Sequence, residues 1–306
     1  MKLTNSIIKQ IEEIVGSKNI KFDEPMRNHT SFKVGGPADL LIYPSNYKMI
    51  SEVIGLLKEK EVNYYVIGNG SNLIVKDGGF RGVIIDLTHL SDIVIEGDCI
   101  TAQCGALLSL VARRALSNSL TGLEFAAGIP GSIGGAIAMN AGAYDGEMSD
   151  VVLSTKVIDN NGEILDLTKA ELELTYRNSI ILRKGYIVLE TKLQLQKGEE
   201  EAIKGKMEDF AERRRSKQPL EFPSAGSTFK RPEGHFAGKL IQDAGLKGRT
   251  VGDAQVSEKH SGFIINKGNA TATDILNLVQ EVHDIVFDMF GVELHTEVRI
   301  IGEDII

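Results

Sequence analysis

The stretch Gly128-Ile129-Pro130-Gly131-Ser132-Ile133-Gly134-Gly135-Ala136 says most about the fold of this chain. It is denser in small residues than a core turn requires, and it opens a segment that can continue as a helix through Asn140. Glycine allows a backbone to approach a bulky ligand closely, whereas close helix packing is the alternative reason for small residues. We predict a ligand-binding loop whose contacts come from Gly128, Pro130, Gly131, Ser132 and Gly134.

A second loop rich in small residues, Gly68-Asn69-Gly70-Ser71-Asn72, lies upstream between the β-rich segments 64–67 and 73–75. Successive backbone N–H groups in such a loop can wrap a phosphate, although a tight turn capped by Asn and Ser has the same composition. The Rossmann fingerprint is excluded because it needs glycine where Leu73 stands. Two such loops favour one long ligand, such as a dinucleotide, that is contacted from two domains.

Periodicity around these loops predicts a mixture of helices and strands. The predicted helices cover residues 1–15, 45–61, 199–217, 237–244 and 273–290, with a further helix ending near 116. The predicted strands cover residues 38–43, 64–67, 73–75, 152–158, 163–167, 187–194, 262–265 and 293–301. Two prolines, Pro219 and Pro223, end the charged helix, so we place a domain boundary near 210–222.

Composition excludes several classes of protein. The 306 residues carry 34 Lys and Arg against 42 Asp and Glu, a formal net charge of −8, which does not favour a nucleic-acid partner. No apolar run approaches the roughly 20 residues that span a bilayer, and the amino end lacks an export signal, so we expect a cytoplasmic protein. Cys99 and Cys104 are too poorly placed to pair, and the six histidines lack metal-binding spacing, so we predict no metal site.

Several motifs together resemble known flavoenzymes. Ser31-Phe32-Lys33-Val34-Gly35-Gly36-Pro37-Ala38-Asp39 and the two small-residue loops resemble the FAD-binding module of vanillyl-alcohol oxidase and p-cresol methylhydroxylase. Three further motifs resemble the UDP-N-acetylenolpyruvoylglucosamine reductase family: Thr175-Tyr176-Arg177-Asn178-Ser179, Ala225-Gly226-Ser227-Thr228-Phe229-Lys230 and Glu293-Leu294-His295-Thr296-Glu297-Val298-Arg299. The match covers nearly the whole chain, in order.

The resemblance implies an α+β fold in which a two-part FAD-binding module precedes a C-terminal α+β substrate domain. The expected parts are an N-terminal FAD-binding subdomain at 1–86, a second at 87–210, a substrate-binding domain at 211–298 and a tail at 299–306 that returns to the FAD module. It also implies non-covalent FAD, NADPH as co-substrate, and reduction of UDP-N-acetylglucosamine enolpyruvate to UDP-N-acetylmuramate in peptidoglycan precursor synthesis. We expect a monomer or a weak oligomer.

The family motifs imply three catalytic residues. Arg177 matches the arginine of the Tyr-Arg motif, Ser227 the proton donor of the Gly-Ser motif, and Glu297 the acidic residue before Val-Arg. Hydride addition to an enolpyruvate builds negative charge through the carboxylate, which a bidentate guanidinium and an acid or its proton relay would stabilise. A nearby hydroxyl can then protonate the carbanion. Gly68, Asn69, Gly70, Ser71 and Asn72 join the 128–135 loop as expected cofactor contacts.

One departure concerns the substrate. Some members of the family carry a long insertion after the arginine motif, with a tyrosine that closes over the substrate, whereas here only residues 178–185 precede the next predicted strand. The chain therefore resembles the branch that lacks this loop. For substrate binding we predict Tyr176, Lys230 and Lys259.

Two other functions remain open from the residues alone. An alcohol or lactone oxidase on the same module would consume O2 with a small alcohol, although the Ser227 and Glu297 motifs argue against it. A non-enzymatic nucleotide-binding module would use both loops for a ligand and retain no flavin colour.

Overall fold

The computed structural model describes residues 3–305, so the first two residues of the predicted first helix and the last residue of the predicted tail lie outside it. The helices are α1 (Asn5–Val15), α2 (Tyr47–Glu59), α3 (Leu108–Leu116), α4 (Ile133–Ala138), α5 (Met148–Val151), α6 (Ile180–Lys184), α7 (Glu200–Lys217), α8 (Ala237–Asp243) and α9 (Ala272–Phe290). Short 3-10 turns occupy Ser17–Asn19, Met26–Asn28 and Glu124–Ala126.

The strands of the first half are β1 (Ile20–Pro25), β2 (Pro37–Ile42), β3 (Tyr64–Ile67), β4 (Leu73–Val75), β5 (Phe80–Asp86), β6 (Ile93–Glu96), β7 (Cys99–Gln103), β8 (Leu120–Thr121), β9 (Gly142–Ala143) and β10 (Gly146–Glu147). The remaining strands are β11 (Val152–Ile158), β12 (Ile164–Thr168), β13 (Ile187–Gln194), β14 (Gln196–Lys197), β15 (Thr250–Val251), β16 (Ala254–Val256), β17 (Ile264–Asn266) and β18 (Arg299–Ile301). The order β1-β2-β5-β3 forms one sheet.

Most predicted elements are confirmed with small shifts at their ends, and β3, β4, β11 and β13 have the predicted bounds. The predicted terminal strand at 293–301 is wrong over most of its length, because only β18 is a strand. The preceding residues change partners along the chain: His295 and Glu297 bond to one segment, whereas Arg299 bonds to Asn72. A segment that bonds to one partner up to Glu297 and to another from Arg299 onward does not continue one ladder.

The first of two compact units contains residues 1–22, 40–69 and 82–213. Its largest sheet has the strand order β12-β11-β13-β7-β6, with antiparallel pairing throughout. The parallel pair β3 and β5 lies in the same unit. Alternating apolar residues of these strands pack with α2, α3 and α4 in one hydrophobic core, whose members include Ile54, Val111 and Leu189.

The second unit contains residues 23–39, 70–81 and 214–306. The antiparallel sheet β15-β16-β17 and the parallel pair β18 and β4 belong to it. The amphipathic helix α9 begins with a capping box between Thr271 and Asp274 and ends at Gly291, whose φ of 67° suits glycine. Its apolar face, which includes Leu278 and Val282, forms the centre of a separate hydrophobic core.

Two further properties bear on function. Cys99 and Cys104 are both free thiols, and burial raises the pKa of Cys104 to about 12, so this thiol is protonated at neutral pH. Within residues 3–305, no helix combines the length and apolar character needed to cross a membrane.

Candidate active site

Part of the first predicted loop lies directly against the second. In the first unit, the side-chain amide of Asn69 donates a hydrogen bond to the carbonyl of Pro130. A Cβ at Gly68 would stand 2.2 Å from the hydroxyl oxygen of Ser132, which is buried. Glycine at position 68 is therefore required by the approach of these two segments, and the structure brings Gly68, Asn69, Pro130 and Ser132 together as one surface.

The stretch 128–135 is hydrogen-bonded to the segment that connects β7 to α3. The Leu108 N–H donates to the carbonyl of Gly131 at 2.9 Å, and the Gly134 N–H donates to that of Cys104 at 2.8 Å. A Cβ at Gly134 would lie 3.1 Å from the Cβ of Cys104, so close packing explains this glycine. Close packing, which the sequence left open as the alternative to ligand contact, therefore applies at Gly134.

Gly135 behaves differently from its neighbour. It is exposed at the start of α4, and the nearest protein atom to its hypothetical Cβ, leaving the helix's own backbone aside, is the Ser132 hydroxyl oxygen at 3.8 Å. The protein leaves room on this face, which fits the approach of a large flat or elongated ligand such as FAD. Gly135 lies within the predicted loop but was not among the predicted ligand contacts, although a second glycine directly after Gly134 was a signal for it.

The remainder of the first loop, residues 70–72, belongs to the second unit. A Cβ at Gly70, whose φ is 57°, would meet the carbonyl oxygen of His29 at 1.9 Å. The side-chain amide of Asn72 donates to the backbone carbonyl of Glu297 at 3.2 Å. The backbone carbonyl of Asn72 accepts from the Arg299 N–H at 3.0 Å. Asn72 thus bonds to the backbone of the residues before and after residue 298. The sequence predicted Asn72 only as a cofactor contact, not in this structural role.

Arg177 lies in a tight turn of the first unit. The N–H and carbonyl groups of Thr175 and Asn178 bond reciprocally at 3.0 and 3.1 Å, which places Tyr176 and Arg177 at the tip. Arg177 has a φ of 53°, a left-handed conformation that is disfavoured for a residue with a side chain. Its guanidinium carbon lies 5.2 Å from the centre of the exposed Tyr176 ring, within the range of a cation–π contact.

The chain after Arg177 is short. The helix α6 ends at Gly185 in the left-handed conformation, and β13 begins two residues later. This segment has no room for the long insertion that some relatives were expected to carry.

Ser227 and Glu297 lie on neighbouring antiparallel segments of the second unit. The Glu297 N–H donates to the carbonyl of Thr228 at 2.8 Å, and the Lys230 N–H donates to that of His295 at 2.8 Å. The Thr228 hydroxyl, which is buried, accepts from the Ile264 N–H at 3.1 Å. Ser227 is exposed and Glu297 half-buried, so both side chains are accessible from segments whose backbone is fixed.

The two predicted substrate lysines, Lys230 and Lys259, are exposed in the second unit. Lys259 lies 3.7 Å from a carboxylate oxygen of Glu221, a contact between two solvent-exposed groups that contributes little stability. Among the residues that the structure describes, no group of three or more His, Cys, Asp or Glu side chains could hold a metal ion.

Comparison with known proteins gives matches to two families. Residues 38–168 match the FAD binding domain family, and residues 218–301 match the family described as the C-terminal domain of UDP-N-acetylenolpyruvoylglucosamine reductase. The UDP-N-acetylenolpyruvoylglucosamine reductase of Clostridium novyi is 57% identical over 298 residues, covering 97% of each chain. The enzyme of the same name from Clostridium botulinum strain Hall is 58% identical over 304 residues, covering 99% of each.

Solved structures support the same fold. The crystal structure of UDP-N-acetylenolpyruvylglucosamine reductase from Thermus caldophilus has a TM-score of 0.79 at 35% identity, covering 90% of this chain and 97% of that one. Phl p 4.0202, a glucose dehydrogenase, has a TM-score of 0.52 at 15% identity over 64% of this chain and 45% of that one, a likeness of fold only. The predicted α+β fold with an FAD-binding module is confirmed.

Proposed function

This chain belongs to the UDP-N-acetylenolpyruvoylglucosamine reductase family, and we propose that Arg177, Ser227 and Glu297 are the residues that carry out the reaction. The protein is an FAD-dependent oxidoreductase that uses NADPH to reduce UDP-N-acetylglucosamine enolpyruvate to UDP-N-acetylmuramate, a step of peptidoglycan precursor synthesis. The observation that carries this function is identity of 57–58% over 97–99% of the chain.

We assign the cofactor to the two small-residue loops, through Gly68, Asn69, Gly70, Ser71, Asn72, Gly128, Pro130, Gly131, Ser132 and Gly134. When bound, FAD accepts a hydride from NADPH and supplies it to the enolpyruvyl double bond. The contact between Asn69 and Pro130 supports this assignment, as does the open face at Gly135. Because the Asn72 amide bonds to the Glu297 carbonyl, we expect Asn72 to contribute to cofactor binding mainly through its backbone.

Arg177 is proposed to bind the carboxylate of the enolpyruvyl group. Hydride addition to the double bond places a developing negative charge beside this carboxylate, and a planar guanidinium can bond both oxygens at once. Interactions that strengthen as charge develops lower the barrier rather than merely tightening binding. The tight turn supports the assignment because the bonds between Thr175 and Asn178 close it and leave Arg177 at its tip.

Ser227 is proposed to donate its hydroxyl proton to the carbanion carbon after hydride has arrived, and then to recover a proton from solvent. Glu297 is proposed to stabilise the developing charge as a carboxylic acid or through a proton relay. The hydrogen bond from the Glu297 N–H to the Thr228 carbonyl supports a shared task, because it fixes the two chain segments in register. A serine hydroxyl is a weak acid, so its neighbours must favour proton release.

The substrate residues are proposed to be Tyr176, Lys230 and Lys259. The lysines offer positive charge for a diphosphate, and the exposed Tyr176 ring offers an apolar face with a hydroxyl at its end.

We further propose that the protein acts in the cytoplasm as a monomer or weak oligomer, and that through its product it supports cell shape and division. The division into residues 1–86, 87–210, 211–298 and 299–306 stays a proposal about domains. Sedimentation of the FAD-loaded protein over a range of concentrations measures the state of assembly, and a stable dimer at low concentration would contradict this part of the proposal.

The test of function is a visible spectrum of the purified protein under anaerobic conditions. We expect flavin absorbance that bleaches on addition of NADPH and returns when the enolpyruvyl substrate follows. Acid precipitation should release the colour, because the cofactor is held non-covalently. A colourless protein would favour a nucleotide-binding module, and reoxidation by O2 with a small alcohol as reductant, without response to the enolpyruvyl substrate, would favour an oxidase.

A further inference from the structure

The conformation of Arg177 raises the question of what holds it. A φ of 53° is disfavoured for arginine, and a two-residue tip closed by the bonds between Thr175 and Asn178 does not by itself fix where the tip points. A turn at the end of a loop can relax unless its base is attached to a rigid element. Two polar side chains of the first unit supply that attachment.

The first is Ser179, which is fully buried. Its hydroxyl donates a hydrogen bond of 2.7 Å to the carbonyl of Ala138, the last residue of α4. Because Ser179 is fully buried and Ala138 is half-buried, loss of this bond leaves a carbonyl with restricted access to water, which is costly. Ser179 stands two residues after Arg177, so this bond fixes the base of the turn.

The second is Asn140, whose exposed fraction is 1%. Its amide group lies 3.4 Å from the carbonyl of Thr175, to which it donates, and its carbonyl oxygen accepts from the Ser149 N–H at 2.9 Å. Asn140 itself has a left-handed φ of 41°, which directs the chain out of α4. The two ends of the Arg177 turn are therefore attached to the same end of one short helix.

We propose that Ser179 and Asn140 are positioning residues for Arg177: they fix the turn 175–178 on the carboxyl end of α4, and thereby aim the guanidinium at the enolpyruvyl carboxylate. This inference rests on the proposed role of Arg177. The helix α4 is also the continuation of the loop 128–135, which is assigned to FAD. One rigid segment thus sets both the cofactor loop and the charge-stabilising residue, so their separation does not depend on a flexible connection.

The consequence is selective. Reduction of the flavin by NADPH does not require a group that stabilises an enolpyruvate, whereas reoxidation by substrate does. A displacement of about 1 Å in a positioned group can cost on the order of 10²-fold in rate. Loosening the turn should therefore slow the second half-reaction and leave the first nearly unchanged.

The experiment compares Ser179→Ala with wild type as FAD-loaded enzyme, by stopped-flow measurement of each half-reaction. We expect flavin reoxidation by substrate to slow by about 10- to 100-fold and reduction by NADPH to stay within about twofold. The matched control is Thr155→Val, which removes another buried hydroxyl of the first unit, bonded to Thr191 at 3.2 Å and remote in sequence from the turn. We expect neither half-reaction to change in that variant.

A double-mutant cycle distinguishes positioning from general loosening. If Ser179 acts through Arg177, adding Ser179→Ala to Arg177→Ala should cause no further slowing. Equal slowing in both backgrounds, or equal slowing of both half-reactions, would overturn the proposal. If reoxidation is unchanged in Ser179→Ala but slow in Arg177→Ala, the positioning role of Ser179 is overturned and the proposed role of Arg177 is kept. Unchanged reoxidation in Arg177→Ala would overturn the proposed role of Arg177 as well.

Two further variants keep the test decisive if Ser179→Ala does not fold with FAD. Ser179→Cys retains nearly the same volume and a weaker donor, so slowing should be smaller but confined to the second half-reaction. Asn140→Asp keeps the oxygen that accepts from Ser149 and removes the amide that donates to Thr175, and it should give the same selectivity. Normal reoxidation in both variants would overturn the proposal.

Discussion

Arg177 and Ser227 are held in different ways. The turn of Arg177 is attached through two buried side chains, Ser179 and Asn140. The segment of Ser227 is fixed mainly through its backbone, where the Thr228 N–H donates to Gly262 at 2.9 Å and the Thr228 carbonyl accepts from Glu297 at 2.8 Å. Backbone bonds survive most substitutions, so substitutions near Ser227 should act chiefly on chemistry, whereas those near Arg177 can also act on position.

The largest expected effect comes from removing the proton donor. Ser227→Ala leaves the backbone bonds of its segment intact, and NADPH needs no proton from a serine to reduce the flavin. General-acid help is typically worth about 10²- to 10⁴-fold, so reoxidation by substrate should slow by at least about 10²-fold. Single-turnover kinetics of both half-reactions on one preparation measures the split.

Ser227→Cys is the companion variant, because a thiol can donate a proton from nearly the same place and should recover part of the rate. Equal slowing of both half-reactions in Ser227→Ala would make Ser227 a binding or folding residue. The contrast with Arg177 would then be lost.

The next largest effect is expected at Arg177, the other residue of this comparison. Arg177→Lys keeps the positive charge but loses the planar pair of donors, so reoxidation by substrate should slow on the order of 10²-fold. A Lys at this position also has to adopt the left-handed conformation of the turn, as Arg177 does. An unchanged rate in both Arg177→Lys and Glu297→Gln, measured by stopped-flow, would remove these residues from the mechanism.

Two glycines extend the comparison to the cofactor loops. Gly70→Ala would place a Cβ 1.9 Å from the His29 carbonyl oxygen at a φ of 57°, so it should lower the free energy of unfolding by on the order of 3 kcal/mol. In Gly135→Ala, the nearest protein atom to the new Cβ outside its own helix backbone and chain neighbours is 3.8 Å away, so the change should not destabilise the apoprotein. It should nevertheless weaken FAD binding roughly tenfold through steric contact.

Urea unfolding of the apoproteins and FAD titration separate these two outcomes. Full FAD affinity in a stable Gly135→Ala variant would mean that the open face beside α4 is not where the cofactor lies.

Sequence reasoning found the fold because its strongest signals are local. Alternating apolar residues give β11 and β13 their predicted bounds, and the helical spacing of apolar residues predicts a helix at 273–290, one residue later than the observed start of α9. The strand expected at 293–298 failed because its pairing partners lie at positions 72, 228 and 230, which no local pattern reveals. The role of Ser179 was missed for the same reason: a serine at the end of a motif is indistinguishable from a turn residue until its partner, the Ala138 carbonyl, is known.

The smallest expected effect concerns how the two units respond to acid. Burial lowers the pKa of His260 in the second unit below its ordinary value of 6.5. A backbone hydrogen bond opposes this shift, and the positive charge of Lys247 makes the smallest contribution, which is downward. Burial alone would raise the pKa of Glu124 in the first unit, but hydrogen bonds from the Thr121 hydroxyl and the backbone outweigh it and lower the pKa below 4.5.

Both shifts are downward, so in each case the unfolded chain binds more protons than the folded one between the two pKa values. The stability that His260 contributes is therefore complete above about pH 6.5 and is lost as the pH falls towards its folded pKa. The contribution of Glu124 is retained until the pH falls below about 4.5. Between these values, acid should weaken the second unit and spare the first.

Amide hydrogen exchange, corrected for the intrinsic exchange rate at each pH, measures the opening free energy of each unit separately. From pH 7.5 to 5.5 we expect the opening free energy to fall for amides of α9 and to stay constant for those of β13. His260→Gln should remove the fall, since an uncharged side chain that can still accept from the Gly262 N–H takes up no proton there. His235→Gln, which changes an exposed histidine of the same unit, should leave the fall in place. An equal fall in the opening free energy of β13 amides would mean that the two units respond to acid alike. A fall in α9 that persists in His260→Gln would mean that protonation of His260 is not its cause.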